Sequence, residues 1–204
     1  MNEAIAVAVT GASGTQYGLR LIDCLLRAGR EVQLMISQAG QVVINMETDL
    51  QLPSGSAEAE AYLTRHFGCE AGQLRVFGRQ QWLAPVASGT NPPRAMVICP
   101  CTTGTLASVA GGICNDLIDR AADVALKEKR PLILVVRETP FSTIHLQNML
   151  TLAQAGATIL PANPGFYFRP QTVDEIVDFI VARVLDHLQV PHELGSRWGE
   201  RTDS

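Results

Sequence analysis

The sequence lacks an excess of positive charge, a long apolar run and a basic leader. Its 204 residues carry 16 Lys and Arg against 20 Asp and Glu, a formal net charge of −4. This balance disfavours nucleic acid as a partner, because phosphate backbones select basic surfaces. No apolar run approaches membrane-spanning length. The start, Met1-Asn2-Glu3, does not resemble a signal peptide, so we expect a cytoplasmic protein.

Metal and disulfide patterns are also missing. The five cysteines are odd in number, and Cys99 and Cys101 form the only close pair. One such pair is weak evidence for a metal, and the four histidines show no ligand spacing. We therefore expect reduced thiols and no metal site.

Hydrophobic residues, in contrast, make up 47% of the chain. This share suits one well-buried domain, which we expect to cover residues 1–190, followed by a polar tail at 191–204. A small domain with so many apolar residues is also expected to bury surface against copies of itself.

The first apolar stretch ends in a turn of small residues. Ile5 to Val9 predict a buried strand, and Gly11 to Gly14 follow before a helical pattern. Small residues let a ligand approach the backbone, and we expect the first amides of the helix to be free for a phosphate. The spacing matches neither a nucleoside triphosphate loop nor a dinucleotide motif, and Ser37 stands where a dinucleotide site would need an acid. A glycine-rich turn without a ligand is the alternative.

Strand and helix patterns alternate along the rest of the chain. Residues 73–93 predict a loop with at most a short strand. Further strands and a last helix are predicted at Val32–Ile36, Ala95–Pro100, Leu132–Val136, Thr158–Pro161 and Val173–Leu188, with helical patterns between the strands. The alternation predicts an α/β fold, a single doubly wound Rossmann-like (flavodoxin-like) parallel sheet with helices on both faces.

Hydroxyl groups and small residues dominate the turns that leave these strands. The turns are Thr10 to Gly14, Ser37, Cys101 to Thr105, Arg137 to Pro140 and Pro161 to Tyr167. Carboxyl ends of parallel strands meet at one edge, so we expect a crevice suited to a phosphate and a flat polar ring. Thr102 to Thr105 also fit an ordinary helix cap.

Several short motifs follow one another in a characteristic order. They are Thr10-Gly11-Ala12-Ser13-Gly14, Glu47-Thr48-Asp49, Ala87-Ser88-Gly89, Ile98-Cys99-Pro100-Cys101, Thr103-Gly104-Thr105-Leu106, the run from Arg120 to Glu128, Arg130-Pro131-Leu132, Arg137-Glu138-Thr139-Pro140 and Pro164-Gly165-Phe166-Tyr167. As a set they resemble the UbiX flavin prenyltransferases. The resemblance covers about Ala4 to Trp198, with Thr102 and Phe168 where many relatives have serine and histidine.

The resemblance implies a metal-independent enzyme that attaches the dimethylallyl group of dimethylallyl monophosphate to reduced flavin mononucleotide (FMN). Bonds would form at the central-ring nitrogen and the adjacent ring carbon of the flavin. The product is the prenylated FMN used by UbiD-type decarboxylases, including that of ubiquinone biosynthesis. The resemblance also implies a homododecamer with active sites shared between subunits.

Residue roles carry over onto the matching positions. The FMN-binding positions are Gly11, Ala12, Ser13, Ser37, Thr102, Thr103, Gly104, Thr105 and Arg120. The substrate-binding positions are Ser88, Gly89, Lys127, Arg137, Tyr167, Arg183 and the aromatic residues Trp82 and Trp198. Ser13, relayed to Glu47, is the candidate for taking the first proton, and Glu138 for protonating the leaving group or assisting the second step.

Other interpretations stay open at this point. Arg120, Asp123 and Lys127 have the spacing of surface ion pairs, and the tryptophans could simply pack. Flavin-dependent cysteine decarboxylases share the fold, but their Pro-x-Met-Asn-x-x-Met-Trp signature is absent after Pro140. A non-catalytic FMN-binding protein is a further alternative.

Overall fold

Most strands are short runs of aliphatic residues whose side chains are buried. The computed structural model of the chain describes residues 3–195, and this range holds six strands. They are β1 (Ile5–Val9), β2 (Val32–Ile36), β3 (Leu74–Phe77), β4 (Ala95–Cys101), β5 (Leu132–Val136) and β6 (Thr158–Ile159). The turn-rich region therefore contains a four-residue strand, within what the turn signals allowed.

Polar caps decide where most helices begin. The helices in the described range are α1 (Thr15–Arg27), α2 (Gln38–Glu47), α3 (Ser56–Phe67), α4 (Thr103–Ala110), α5 (Leu117–Lys127), α6 (Thr143–Gln154) and α7 (Val173–Leu188). Side chains of Ser37, Thr102, Asp116, Ser142 and Thr172 accept hydrogen bonds from first-turn amides. α1 differs, because its cap is Gly14 in the left-handed region at φ 98°, without a side chain.

The strands form one parallel sheet in the order β3-β2-β1-β4-β5-β6. Val7 of β1 lies opposite Leu34 of β2 on one side and Val97 of β4 on the other. The chain order reverses between β1 and β4, so the crevice of a doubly wound sheet opens there. This arrangement confirms the predicted fold class.

The side chains of β1 alternate between two cores. Ile5, Val7 and Val9 pack with α1, α3 and α7, whereas Ala6 and Ala8 face α4, α5 and α6. α1 lies very close to β4, because a Cβ on Gly18 would stand 2.3 Å from the carbonyl oxygen of Cys99. That glycine is needed for helix and strand to pack at this distance.

The chain continues past α7 along the protein surface. His192 bonds to Asp186 at 3.2 Å, and Leu194 packs against the core. The division at residue 190 into domain and tail stays a prediction. No helix within residues 3–195 is long and apolar enough to cross a membrane.

Candidate active site

The crevice is built around a buried threonine that joins the ends of β1 and β4. The Thr10 hydroxyl donates to the Pro100 carbonyl at 2.7 Å and accepts from the Thr102 amide at 2.9 Å. Thr10 is 1% exposed, so these two hydrogen bonds are shielded from water. From the sequence, Thr10 was predicted only to begin a turn and the first family motif, with no contact to β4. A polar residue directly after an apolar strand was the available signal for its structural role.

The first turn of α1 is occupied by a carboxylate of the chain itself. Glu47 Oε2 accepts from the Gly14 amide at 2.8 Å, the Thr15 amide at 3.1 Å and the Thr15 hydroxyl at 3.2 Å. The expectation that these amides are free for a phosphate is therefore wrong. The physical reason is that α2 ends beside α1 and delivers Glu47 to the positive end of the helix dipole.

Ser13 directly precedes the two residues whose amides bond to Glu47, and the relay between Ser13 and Glu47 stays a prediction. Burial raises the pKa of Glu47, but hydrogen bonds from the Ser13 side chain and from Gly14 and Thr15 outweigh it, and the pKa lies below its usual value. Glu47 is consequently an ionised hydrogen-bond acceptor at neutral pH.

Two other helices begin at the same edge of the sheet. Ser37 Oγ accepts from the Gly40 amide at 2.9 Å, and Thr102 Oγ1 accepts from the Thr105 amide at 3.1 Å. Thr102 thus acts as a helix cap, as the alternative interpretation held. Each cap satisfies one amide, and other first-turn amides have no acceptor inside the helix. The capacity for anions at this edge therefore lies with α2 and α4.

One cation reaches the same corner from the turn after β5, and a second carboxylate follows it in the chain. Arg137 Nε donates to the Ser13 carbonyl at 3.1 Å, which ties the β5 turn to the β1 turn. Glu138 follows directly, and its Oε1 accepts from the Thr139 amide at 2.9 Å. We call Ser13, Glu47, Arg137 and Glu138 the proton corner, because they combine a hydroxyl, two carboxylates and a guanidinium.

The Ser88–Gly89 loop lies against α5. Arg120 Nε donates to the Ala87 carbonyl at 3.1 Å, and a Cβ on Gly89 would stand 2.6 Å from Lys127 Nζ. Arg120 also pairs with Asp123 at 2.8 Å, as its spacing allowed. Lys127 pairs with Glu128 at 2.5 Å.

α5 separates its two predicted site residues along its axis. The helix begins next to Arg79, just beyond β3, where the Leu117 amide donates to the Arg79 carbonyl at 2.8 Å. It then returns the chain to the amino end of β5, on the side of the sheet opposite the carboxyl ends of the strands. Lys127 lies seven residues after Arg120, about 10 Å further along the axis at ~1.5 Å per residue. Lys127 is therefore remote from the crevice edge of its own chain.

Tyr167 and Arg183 share a cavity of about 420 Å³ beside α7. Arg183 pairs with Asp186 at 2.9 Å, and the Tyr167 ring meets Phe179 edge-on at 6.0 Å. Phe168 stacks on Phe179 at 5.3 Å, which explains how an aromatic residue fits there. The cavity shares no lining residue with the proton corner.

The remaining predicted positions are less informative. Trp82 is 45% exposed on the loop after β3, and Trp198 lies outside the described residues. Burial raises the pKa of the Cys99 thiol above its usual value and that of Cys101 to about 12, so both are protonated packing groups. Within residues 3–195 there is no cluster of His, Cys, Asp and Glu that could hold a metal ion.

Comparison with known proteins agrees with this geometry. The chain matches the Flavoprotein family over residues 1–185. It is 59% identical over 199 residues to the flavin prenyltransferase UbiX of Pseudomonas aeruginosa, covering 98% of this chain and 95% of that protein. The crystal structure of AnUbiX in complex with FMN and dimethylallyl pyrophosphate matches with TM-score 0.87 and 36% identity, covering 98% of this chain and 100% of that one. A dodecameric FMN-dependent UbiX-like decarboxylase from Escherichia coli O157:H7 matches with TM-score 0.83 and 36% identity, covering 96% and 98%.

Proposed function

The chain belongs to the UbiX flavin prenyltransferases, and we propose from this premise how its residues transfer a dimethylallyl group to reduced FMN. The enzyme class follows from similarity over the full length of the relatives. The observation that carries the proposed roles is the Glu47 carboxylate, which the Gly14 and Thr15 amides hold directly after Ser13, beside the divergence of β1 and β4. Ligands of doubly wound sheets bind at this divergence.

The donors at this edge fit FMN. Ser37 and Thr102 begin α2 and α4 there, and Thr103 and Thr105 add hydroxyls. First-turn amides and hydroxyls suit a phosphate and the polar edge of a ring. Because Glu47 occupies α1, we assign the phosphate of FMN to the first turns of α2 and α4, with Gly11 to Ser13 beside the ring. In its reduced form FMN supplies the ring nitrogen and carbon that accept the two ends of the prenyl group.

Ser13 and Glu47 serve the first proton transfer. Ser13 passes a proton from the flavin nitrogen to the Glu47 carboxylate, which the amides of the following Gly14 and Thr15 hold beside it. A ring seated over the pair would exclude water, and loss of water raises the pKa of a carboxylate. Glu47 would therefore become a better proton acceptor when the ligand is bound than in the free protein.

Arg137 and Glu138 serve the leaving phosphate. The bond from the allylic carbon to the phosphate oxygen breaks, and negative charge collects on that oxygen. A guanidinium stabilises this charge through charge-assisted hydrogen bonds, and a neighbouring carboxyl group can deliver a proton to it. The Ser13 carbonyl accepts a hydrogen bond from Arg137 and so holds this side chain at the corner. Glu138 is the next residue in the chain.

We also propose a homododecamer with active sites shared between subunits. Lys127 lies near the far end of α5, and the cavity of Tyr167 and Arg183 is separate from the proton corner, which supports a site completed by a neighbouring subunit. α6 supports burial between copies. None of its 12 residues is charged, and Ile144, Leu146 and Leu150 are at least half exposed. Interface cores are depleted of charged residues, and the related Escherichia coli protein is dodecameric.

The proposal also covers what happens to the product after the reaction. Prenylated FMN leaves the enzyme for a UbiD-type decarboxylase, as in ubiquinone biosynthesis, and the exchange takes place in the cytoplasm. The support is the family resemblance of the motifs around Ser13, Glu138 and Tyr167.

The test is anaerobic incubation with reduced FMN and dimethylallyl monophosphate, followed by mass spectrometry of the released flavin. We expect a mass gain of one prenyl unit, strongly reduced in Ser13→Ala and Glu138→Gln. A parallel reaction with the pyrophosphate, the ligand named for AnUbiX, identifies the phosphate ester that is used.

The alternatives give different outcomes in the same assay. A flavin that binds tightly and returns unmodified with both esters would indicate a non-catalytic FMN-binding protein. Release of carbon dioxide from a cysteine-containing substrate would indicate a cysteine decarboxylase. The missing Pro-x-Met-Asn-x-x-Met-Trp signature makes that second outcome the less expected one.

A further inference from the structure

Thr15 supplies a side-chain donor to Glu47 that no motif had marked. Its hydroxyl lies 3.2 Å from Glu47 Oε2, the same oxygen that accepts from the Gly14 and Thr15 amides. The two amides would be present with almost any residue at position 15. The hydroxyl would not, so this contact depends on the identity of the residue.

The burial of Thr15 commits its hydroxyl to this contact. Thr15 is 0% exposed, and a buried hydroxyl requires a partner inside the protein. It is the first residue of α1, and a β-branched side chain has few rotamers there. The donor is therefore held in place before any ligand arrives.

We propose that Thr15 is a positioning residue for the transfer reaction, holding Glu47 against the first turn of α1 with Ser13 as the proton path. This rests on the proposed role of Glu47 as proton acceptor. Thr15 adds a third hydrogen bond to the carboxylate oxygen that the two amides already hold, which restricts the carboxylate further beside Ser13. Because the hydroxyl donates to the charged form, it also favours ionised Glu47.

Few other charged groups act on Glu47 from the neighbouring elements. Arg137 and Glu138 lie on the turn after β5, where Arg137 bonds to the Ser13 carbonyl. Asp49 follows α2, and Arg20 on α1 is committed to Asp23 and Asp178. Hydrogen bonds, rather than ion pairs, oppose the effect of burial on the Glu47 pKa.

The test compares Thr15→Val, which removes the hydroxyl at nearly constant volume, with Thr15→Ser, which keeps it. Single-turnover prenyl transfer is measured across pH, with Glu47→Gln as reference. We expect Thr15→Val to lose about tenfold in rate on the acid side and less at neutral pH, because one charge-assisted hydrogen bond changes an equilibrium by roughly that factor. Thr15→Ser should restore the profile.

A second measurement does not depend on catalysis. Urea unfolding of the wild type, Thr15→Val, Glu47→Ala and the double variant gives the coupling between the two side chains, because alanine removes the acceptor that glutamine would keep. We expect a favourable coupling at neutral pH that vanishes in acid. If Thr15→Val does not fold, Thr15→Ala replaces it.

The outcomes distinguish a failure of the role proposed for Thr15 from a failure of the role proposed for Glu47. A Thr15→Val profile equal to the wild type, or an equal loss at every pH that Thr15→Ser does not repair, would overturn the role of Thr15. A fully active Glu47→Gln would instead overturn the role of Glu47 on which the inference rests. Zero coupling in the unfolding experiment would show that the contact between Thr15 and Glu47 contributes no stability, which would also overturn the role of Thr15.

Discussion

The first turns of α1 and α4 are the most instructive pair of regions in this protein. Both helices follow neighbouring central strands and both begin with small or hydroxyl residues. α1 is satisfied by Glu47, which comes from the end of another helix. α4 is capped locally by Thr102. Similar local sequences therefore begin two helices in different ways. We call the first turn of α1 the closed end, because a carboxylate from another helix occupies it, and the first turn of α4 the open end, because only its own cap does.

The largest expected effect is at the closed end. Glu47→Gln keeps an oxygen for the Gly14 and Thr15 amides and removes the charge. We expect prenyl transfer to slow by about 10²–10⁴-fold, the usual contribution of a positioned base, with FMN still bound. Single-turnover mass spectrometry measures the rate and flavin fluorescence measures binding. A wild-type rate would show that the carboxylate serves only to close α1.

A charge added to the open end should make it resemble the closed one. Thr103→Glu places a carboxylate on the first turn of α4, where we assign the FMN phosphate. Repulsion between like charges at short range should weaken FMN binding at least about tenfold, and salt should reduce the effect. Thr103→Gln is the matched neutral control. Equal weakening in both variants would point to lost packing rather than charge.

Removal of the local cap should affect stability more than chemistry. Thr102→Ala deletes the acceptor for the Thr105 amide, and loss of such a cap costs about 1 kcal/mol. Urea unfolding measures this difference. Thr102→Ser, which retains the hydroxyl, should fall close to the wild type. If it were as unstable as the alanine variant, the threonine methyl group rather than the cap would be responsible.

The smallest expected effect is the pH dependence of stability that Glu47 contributes at the first turn of α1. The folded-state pKa of Glu47 lies below its ordinary value, so its stabilisation is complete above the unfolded-state pKa and disappears as pH falls through the folded-state pKa. Wild type should therefore lose stability in acid relative to Glu47→Gln. Partial exposure of Glu47 keeps the difference modest. Curves that stay parallel down to low pH would contradict this linkage.

Much of the fold was predictable because its signals are local. The largely apolar runs at Val32–Ile36 and Leu132–Val136 are strands with those bounds, and hydroxyl caps begin the helices after them. Periodicity and capping act over a few neighbouring residues, so they can be read without knowing the rest of the chain. The short β3 was harder, because it has few residues and lies among turn formers.

The candidate site was predictable in composition but not in arrangement. The motif resemblance selected Ser13, Glu47 and Arg137, which the structure brings together. It did not select Thr15, whose hydroxyl faces Glu47. A threonine after a glycine turn looks like any first helical residue until the partner across the fold is known.

Local residue patterns predicted most strands and helices, the parallel alternation and, through the motifs, the flavin prenyltransferase family. The packing of the elements against one another was needed to show that Glu47 closes the first turn of α1. Glu47 and Gly14 are 33 positions apart, and their contact exists because α2 ends where α1 begins. Contacts of this kind depend on how elements pack, and no local pattern of residue types encodes that geometry.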